Sequence, residues 1–175
     1  RVAEPQITST PWFTLRMSEG KPFKTNIEYP RPDFSMNENW PNVKQVWRRT
    51  DNTDIGAAAV QSGKYVVYAN TSGIVYALDA ATGNEIWKYR TGGKVFSTPA
   101  IYGSGDAASV IIGSCDTYIY SLRIKDGKVN WKYKCGKSVL GSPTVFGGKV
   151  YIGASDHTFR ALNAKTGKLI WENKD

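Results

Sequence analysis

The stretch LDAATGNEIWK at residues 78–88 occurs a second time, in altered form, as LNAKTGKLIWE at residues 162–172. Both copies keep a Thr-Gly pair and, four residues after the Gly, a Trp. A fixed period of this kind indicates a repeat architecture rather than a local motif. The tryptophans recur at spacings of 40, 44 and 40 residues and are Trp47, Trp87, Trp131 and Trp171.

The segments between the tryptophans repeat as well. They align without gaps as YVVYANTSGIVYAL (65–78), SVIIGSCDTYIYSL (109–122) and KVYIGASDHTFRAL (149–162). Each has β-branched and aromatic runs on both sides of a turn, which is typical of paired strands. No window carries a helical apolar period over ten residues, so we expect almost no helix. The four extra residues of the middle unit fall in the Gly/Ser/Ala loop at 102–109.

A period of about 40 residues with four strands per unit is typical of a β-propeller blade. We therefore predict an all-β chain, a β-propeller of four-stranded antiparallel blades. The chain accommodates about three complete blades, near 51–90, 91–134 and 135–173, plus one fourth strand at 43–48. This is a partial propeller, and a full ring would need more chain on the C-terminal side. Residues 1–42 are rich in Pro and are interpreted as an extended arm or linker, with a degenerate blade as the alternative.

The motif from Ala77 to Trp87, and its copy from Ala161 to Trp171, resembles the tryptophan-docking motif of PQQ-like (quinoprotein-type) β-propeller repeats. The middle copy, ending at Trp131, departs from it by lacking the Ala and the Thr. That family includes quinone-dependent dehydrogenases, outer-membrane assembly lipoproteins and repeat modules of unknown role. The chain resembles the non-enzymatic members more than the dehydrogenases. The resemblance implies a periplasmic or secreted location and Trp side chains that stack on the neighbouring blade.

The recurring residues have a physical reason to recur. Gly in the turn accepts a positive φ that a side chain resists, and Trp presents a large apolar face whose indole N–H needs an acceptor. We therefore expect the tryptophans to be core residues and not ligand platforms. The predicted structural docking set is Trp47, Trp87, Trp131, Trp171, Gly83, Gly127 and Gly167.

Residues for catalysis or for holding a cofactor are sparse. His157 is the only histidine and lies in a predicted turn, so a His-rich metal centre or a Ser-His-Asp triad cannot be assembled on it alone. Cys115 and Cys135 are expected to be separate thiols, roughly 10 Å apart across the sheet. By the resemblance, quinoprotein dehydrogenases clamp PQQ with a vicinal Cys-Cys disulfide, which this sequence lacks. We predict no catalytic, metal or PQQ-binding residue.

The chain carries a formal net charge of +8. Many of the basic residues lie beside the tryptophans, on the outermost strand of each unit, where Lys protects an exposed sheet edge from unwanted pairing. A basic rim that attracts an acidic partner is the alternative. No nucleic-acid module accompanies the charge, and no stretch approaches the ~20 apolar residues of a membrane span.

Three classes of function remain. The leading hypothesis is a non-catalytic scaffold that binds a protein partner or further blades of its own polypeptide. The second is the propeller portion of a hydrolase or PQQ-dependent oxidoreductase whose catalytic residues lie elsewhere. The third is a glycan-binding module that uses Tyr102, Tyr118 and Phe146. For the scaffold, the predicted surface is a face of the ring made by the turns 70–73, 114–117 and 154–157 or by the interblade loops near 92–97 and 136–141.

Overall fold

The computed structural model describes residues 45–174, which form twelve β-strands and one three-residue 3-10 helix, Gly105–Ala107. The scarcity of helix in these residues confirms the all-β prediction. The strands are β1 (Val60–Ser62), β2 (Tyr65–Ala69), β3 (Ile74–Asp79), β4 (Glu85–Arg90), β5 (Ala100–Tyr102), β6 (Ser109–Gly113), β7 (Tyr118–Arg123), β8 (Val129–Lys134), β9 (Thr144–Phe146), β10 (Lys149–Ala154), β11 (Thr158–Asn163) and β12 (Leu169–Lys174).

Consecutive strands form three four-stranded sheets, β1–β4, β5–β8 and β9–β12, here called sheets 1, 2 and 3. All pairings within them are antiparallel, and each strand pairs with its neighbours in the chain. The predicted blades of a partial β-propeller are thus confirmed.

Each sheet has two distinct ends. The first and third connections of a sheet lie at one end, which we call the hairpin end. The second connection and the linker to the next sheet lie at the other end, which we call the loop end.

A bulge recurs beside each tryptophan of the sheets. In sheet 1, Ala77 pairs with Trp87 and the next residue, Leu78, pairs with Glu85, so that Ile86 has no partner in the ladder. The same register shift lies between Ser121 and Leu122 in sheet 2 and between Ala161 and Leu162 in sheet 3. A bulge re-aims the side chains beside it, so the outermost strand of each sheet follows the same path.

The hydrophobic core lies between the sheets. Val67, Val75 and Trp87 of sheet 1 pack with Val110 and Leu122 of sheet 2. A second cluster joins sheet 2 to sheet 3 in the same way. We call these the first and second seams. Because successive strand residues point to opposite faces, the middle sheet contributes alternate residues to the two seams.

Of the fourth strand predicted at 43–48, the described residues 45–48 are not in a strand. Residues 45–50 belong to no sheet, since a strand requires a hydrogen-bonded neighbour and the described residues offer them none. Trp47 nevertheless packs against Tyr68, Tyr76 and Leu78 of sheet 1. The predictions for residues 1–42 lie outside the described residues, and the domain boundary at 42/43 stays a prediction.

Candidate protein-binding face

Three of the recurring tryptophans, Trp47, Trp87 and Trp131, make the same contact. The indole N–H of each donates a hydrogen bond to a backbone carbonyl in the turn between the third and fourth strands of the sheet that follows it in the chain. A buried indole needs such a partner, and in each turn the accepting carbonyl belongs to the residue three positions before the turn Gly. The bonds are Trp47 to Ala80 O (2.9 Å), Trp87 to Ile124 O (2.6 Å) and Trp131 to Ala164 O (3.0 Å).

The turn glycines lie directly against these rings. Gly127 has φ +71°, and a Cβ on it would lie 2.7 Å from Cε3 of Trp87. The conformation and the lack of space both exclude a side chain there. The same holds for Gly83 beside Trp47 and for Gly167 beside Trp131.

Side-chain hydrogen bonds hold each turn in shape, in two different ways. In sheet 1, Asp79 Oδ1 accepts bonds from the backbone N–H groups of Ala81 and Thr82 and from Thr82 Oγ1. Asn163 has this role in sheet 3. Sheet 2 lacks the Thr and instead pairs Arg123 with Asp126 through two bonds of 2.8 and 2.6 Å. The departure from the motif in the middle repeat therefore preserves the turn.

The outer face of sheet 3 differs from its two counterparts. Trp171 is 42% exposed, whereas Trp87 and Trp131 are 8% and 9% exposed. The rings of Tyr151 and Phe159 each lie 6.1 Å from the Trp171 ring. The counterparts of Tyr151 and Phe159 in sheets 1 and 2 are fully buried by the following sheet; they are Val67, Val75, Ile111 and Ile119. We call this aromatic surface the open sheet face.

At the loop end, two aspartates tie the sheets together. The backbone N–H of Gly92 donates to Asp116 Oδ2 (2.6 Å), and that of Gly136 donates to Asp156 Oδ2 (2.7 Å). Asp156 also accepts two bonds from the buried Arg160 guanidinium. These bonds, those from Arg160 above all, lower the pKa of Asp156 to about 2.

Backbone bonds complete this arrangement. The N–H of Cys115 donates to Lys94 O (2.8 Å), and that of Ser155 donates to Ser138 O (2.9 Å). The turns at 114–117 and 154–157 are therefore bonded to the preceding interblade loops. The two loop sets that sequence reasoning offered as alternatives form one surface, which we call the loop face.

His157 lies in one of these turns at φ +60°. The equivalent residues are Gly73 at φ +81° and Thr117 at φ +79°. The position therefore requires a left-handed backbone, in which a β-branched residue such as Thr is strained. His157 also lines a shallow pocket with Phe159 and Asn173.

The loop face exposes side chains that sequence reasoning did not select. Phe96 is 42% exposed and Leu140 is 50% exposed, at equivalent positions of the two interblade loops. Lys94 and Lys137 are exposed in the same loops. The signal was present in the sequence, because a large apolar residue comes just before each Ser-Thr-Pro or Gly-Ser-Pro stretch.

The three aromatic residues considered for glycan binding do not share a surface. Tyr118 packs on the first seam, with Lys132 Nζ 4.8 Å from its ring centroid. Tyr102 packs on the second seam, and Phe146 is 76% exposed at the hairpin end of sheet 3.

Cys115 and Cys135 are free thiols. Burial raises the pKa of Cys135 to about 11, which keeps this thiol protonated and poorly nucleophilic. In residues 45–174, no three His, Cys, Asp or Glu side chains converge as metal ligands. The same residues contain no helix that is long and apolar enough to cross a membrane.

Solved structures share this fold. BamB from Moraxella catarrhalis aligns with a TM-score of 0.62 and 26% identity over 74% of this chain and 39% of its own. The quinohemoprotein alcohol dehydrogenase of Comamonas testosteroni aligns with a TM-score of 0.57 and 24% identity, over 69% of this chain and 21% of its own. A second quinohemoprotein alcohol dehydrogenase, from Pseudomonas putida HK5, gives 0.59 and 22%, over 72% and 21%.

The chain thus spans well under half the length of each of these proteins. At 24% and 22% identity, the dehydrogenases share the fold alone. Comparison with curated protein sequences gives no match. The family model described as outer membrane protein assembly factor BamB matches residues 41–105 and 102–175. The chain belongs to this family of PQQ-like β-propeller repeat proteins.

Proposed function

We propose that this chain is part of a non-catalytic β-propeller scaffold that binds another protein through the loop face in an extracytoplasmic compartment. The family description, outer membrane protein assembly factor, supports the compartment and the assembly role. The residues that recur between repeats support the scaffold role, because they are engaged in contacts between sheets.

The observation that carries the proposal is the pairing of apolar and basic side chains on the loop face. Phe96 and Leu140 expose apolar surface from two adjacent loops. Lys94 and Lys137 lie in the same loops, and neither belongs to an ion pair of the described residues. Apolar anchors provide affinity, and unpaired lysines attract an acidic partner.

The loop face is also rigid enough to present these anchors. Asp116 and Asp156 hold the interblade loops through the backbone N–H groups of Gly92 and Gly136. A preorganised surface loses less conformational entropy on binding than a mobile loop does. The partner we propose is therefore a protein segment with apolar and acidic side chains.

The test is site-specific photo-crosslinking in the intact protein in its own cells. A photo-reactive amino acid at position 96 or 140 should capture the same protein, and the same residue at the exposed control position 146 should not. Lys94→Glu combined with Lys137→Glu should reduce both crosslinks at least tenfold, while Lys132→Glu, on an outermost strand, should not. Equal capture from position 146, or insensitivity to the loop lysines, would contradict the proposal.

We also propose that the recurring tryptophans dock neighbouring blades, and that the open sheet face receives a further four-stranded sheet of the same repeat type. The occupant would need a Gly at positive φ in its β3–β4 turn and a free carbonyl three residues before it. Continuity with the two seams supports this assignment, since Trp171 has the place that Trp87 and Trp131 have there.

An extended chain tests this docking. A second copy of residues 136–174 appended after Asp175 should shift Trp171 fluorescence to shorter wavelength and reduce its quenching by acrylamide. The same extension with Ala at the appended copy's equivalent of Gly167 is the control, because its Cβ would clash with the ring. If both extensions protect Trp171 equally, the docking assignment is wrong.

We further propose that this chain holds no PQQ. Cys115 lies in the turn between β6 and β7, and Cys135 follows β8. Because they are not adjacent in the sequence, they cannot form the disulfide between neighbouring cysteines that the resemblance implies for the dehydrogenases. Titration of the chain with PQQ and Ca²⁺ should leave the quinone absorbance unchanged, and a saturable spectral change would refute the proposal.

A further inference from the structure

A groove of about 560 Å³ with both polar and apolar lining opens at the hairpin end of the second seam. It lies at the opposite end of the sheets from the loop face. The side chains that matter for its chemistry are those of Tyr102, Ser109, Arg123, Asn130 and Lys165.

The corresponding place in the first seam is filled. Tyr65 occupies it with 2% exposure, and its hydroxyl donates to Asp106 Oδ1 (2.6 Å). Ser109 is the residue of sheet 2 that corresponds to Tyr65. At position 109 the second seam therefore has neither the buried Tyr ring nor the hydrogen-bonded carboxylate of the first, and the aromatic ring beside it is that of Tyr102 on the paired strand.

A difference in loop length keeps the groove open. In the first seam, the loop 102–109 of sheet 2 brings Asp106 over Tyr65. In the second seam, the matching connection of sheet 3 is only Gly147-Gly148, between the paired residues Phe146 and Lys149. This connection of sheet 3 is therefore too short to reach over Ser109.

The charge at the groove is also unbalanced. Lys165 corresponds to Lys125 in the first seam, where the hydrogen bond from Tyr65 and, to a smaller extent, the charges of Lys64 and Lys125 lower the pKa of Asp106. In the groove, Lys165 belongs to no ion pair of the described residues. Arg123 is held by Asp126 at 2.6 Å, so one positive charge remains without a partner.

The groove wall offers hydrogen bonds where the other sheets are apolar. Asn130 replaces the Ile found at 86 and 170. Its Nδ2 donates to Ser109 Oγ (2.9 Å), and its Oδ1 accepts no bond from the described residues. Tyr102 contributes a half-buried ring at the rim.

We propose that this groove binds a hydroxylated ring that carries a carboxylate, namely a uronic acid unit of an acidic polysaccharide. The ring would occupy the volume that Tyr65 fills in the first seam, against the Tyr102 ring. Its carboxylate would pair with Lys165, as Asp106 lies near Lys125 in the first seam. Its hydroxyl groups would bond to Asn130 Oδ1 and Ser109 Oγ, which an aliphatic or purely aromatic ligand cannot do.

The test is a titration of the full chain with trigalacturonic acid, followed by amide NMR shifts and calorimetry. Maltotriose is the neutral ligand of the same size, and a short Tyr-Asp peptide is the protein-like ligand. Shifts should be confined to residues around the groove. Lys165→Gln should weaken binding at least tenfold, while the matched variant Lys125→Gln, which removes the same charge at the filled seam, should leave binding unchanged.

Two further variants address the shape of the groove. Ser109→Tyr should fill it and abolish binding. If Ser109→Tyr does not fold, Asn130→Ile restores the residue of the other two repeats and should weaken binding about tenfold while the melting temperature is retained.

Three outcomes would overturn the inference. The first is the absence of shifts at millimolar trigalacturonate. The second is equal binding of maltotriose with no effect of Lys165→Gln. The third is preferential binding of the peptide in the groove, which would assign it to a protein segment instead.

Discussion

Replacement of Trp87 by Ala tests the seams most directly. Trp87 is 8% exposed, and its indole N–H donates to Ile124 O at 2.6 Å. A buried Trp removes roughly 200 Å² from water, worth about 5 kcal/mol at about 25 cal/mol per Å². Measured losses for such truncations are about 3–5 kcal/mol. We therefore expect Trp87→Ala to reduce the free energy of unfolding by about 3–5 kcal/mol, a large share of the ~5–15 kcal/mol of a typical domain.

The assay is thermal and urea unfolding followed by circular dichroism. For a folded unit of this size, 1 kcal/mol corresponds to a shift in Tm of roughly 3–5 °C, so the Tm of Trp87→Ala should fall by about 10–20 °C. The ring also lies against Gly127, which leaves little room for the seam to close around the cavity.

Trp171→Ala is the matched control. It removes the same side chain from an equivalent strand position, but Trp171 is 42% exposed and its contacts are to Tyr151 and Phe159 of its own sheet. Its loss should cost only about 1–2 kcal/mol. Equal decreases in Tm for the two variants would refute the reasoning, because the cost would then not come from burial between sheets.

Other substitutions test the backbone and the charges. Gly127→Ala should destabilise by about 2 kcal/mol or more, since its Cβ would meet the Trp87 ring, while Gly147→Ala, at φ +55° with open space around it, should cost only about 1 kcal/mol in urea unfolding. Thr117→Gly should raise Tm by a few degrees. Gly relieves about 1–2 kcal/mol of left-handed backbone strain, and the greater conformational entropy that Gly loses on folding offsets only part of this gain; a lower Tm would contradict this. Asp156→Asn removes the carboxylate that is hydrogen-bonded to the guanidinium of Arg160, whose side chain is 5% exposed, and leaves it only the 3.5 Å contact with Glu172, so it should cost about 3 kcal/mol at pH 7. Because the pKa of Asp156 is lowered in the folded state, its carboxylate stabilises the fold above about pH 4, and this stabilisation is lost as the pH falls towards 2. The difference in unfolding free energy between wild type and Asp156→Asn should therefore shrink over that interval; a constant difference would contradict the assignment.

The sequence predicted the sheets well because the repeat supplied several independent observations of each element. Trp87 and Trp131 lie at equivalent positions, so one alignment located the outermost strand of both sheets. The described residues of the strand predicted around Trp47 belong to no sheet, and this has a physical reason. A strand depends on its hydrogen-bonded neighbour as much as on its own residues. The Trp47 indole can therefore pack on sheet 1 while the backbone around it pairs with no described strand.

The candidate surfaces were harder to predict because exposure depends on what each side chain meets across a seam. Phe96 and Leu140 have the apolar character of core residues, and only the orientation of the interblade loops leaves them exposed. Arg160 is the opposite case, a charged residue on a strand that is buried. Its burial is tolerated because Asp156 lies within hydrogen-bonding distance. Periodicity identifies a face of a strand, but it does not identify the group that lies opposite.

Departures from a repeat carry more functional information than the repeat itself. The residues that every unit keeps, such as Gly127 and Trp87, are explained by contacts between sheets. Ser109 stands where sheet 1 has Tyr65 and sheet 3 has Lys149, and Asn130 stands where both other sheets have Ile. Tyr65 is buried in the first seam, whereas Ile86 and Ile170 are 39% and 45% exposed. The change from Tyr to Ser at position 109 is therefore the departure that loses buried apolar area and needs a reason other than stability. Binding of a polar ligand in the groove is such a reason, and Asn130→Ile separates the two, because it should preserve or raise Tm while it weakens binding of the acidic sugar.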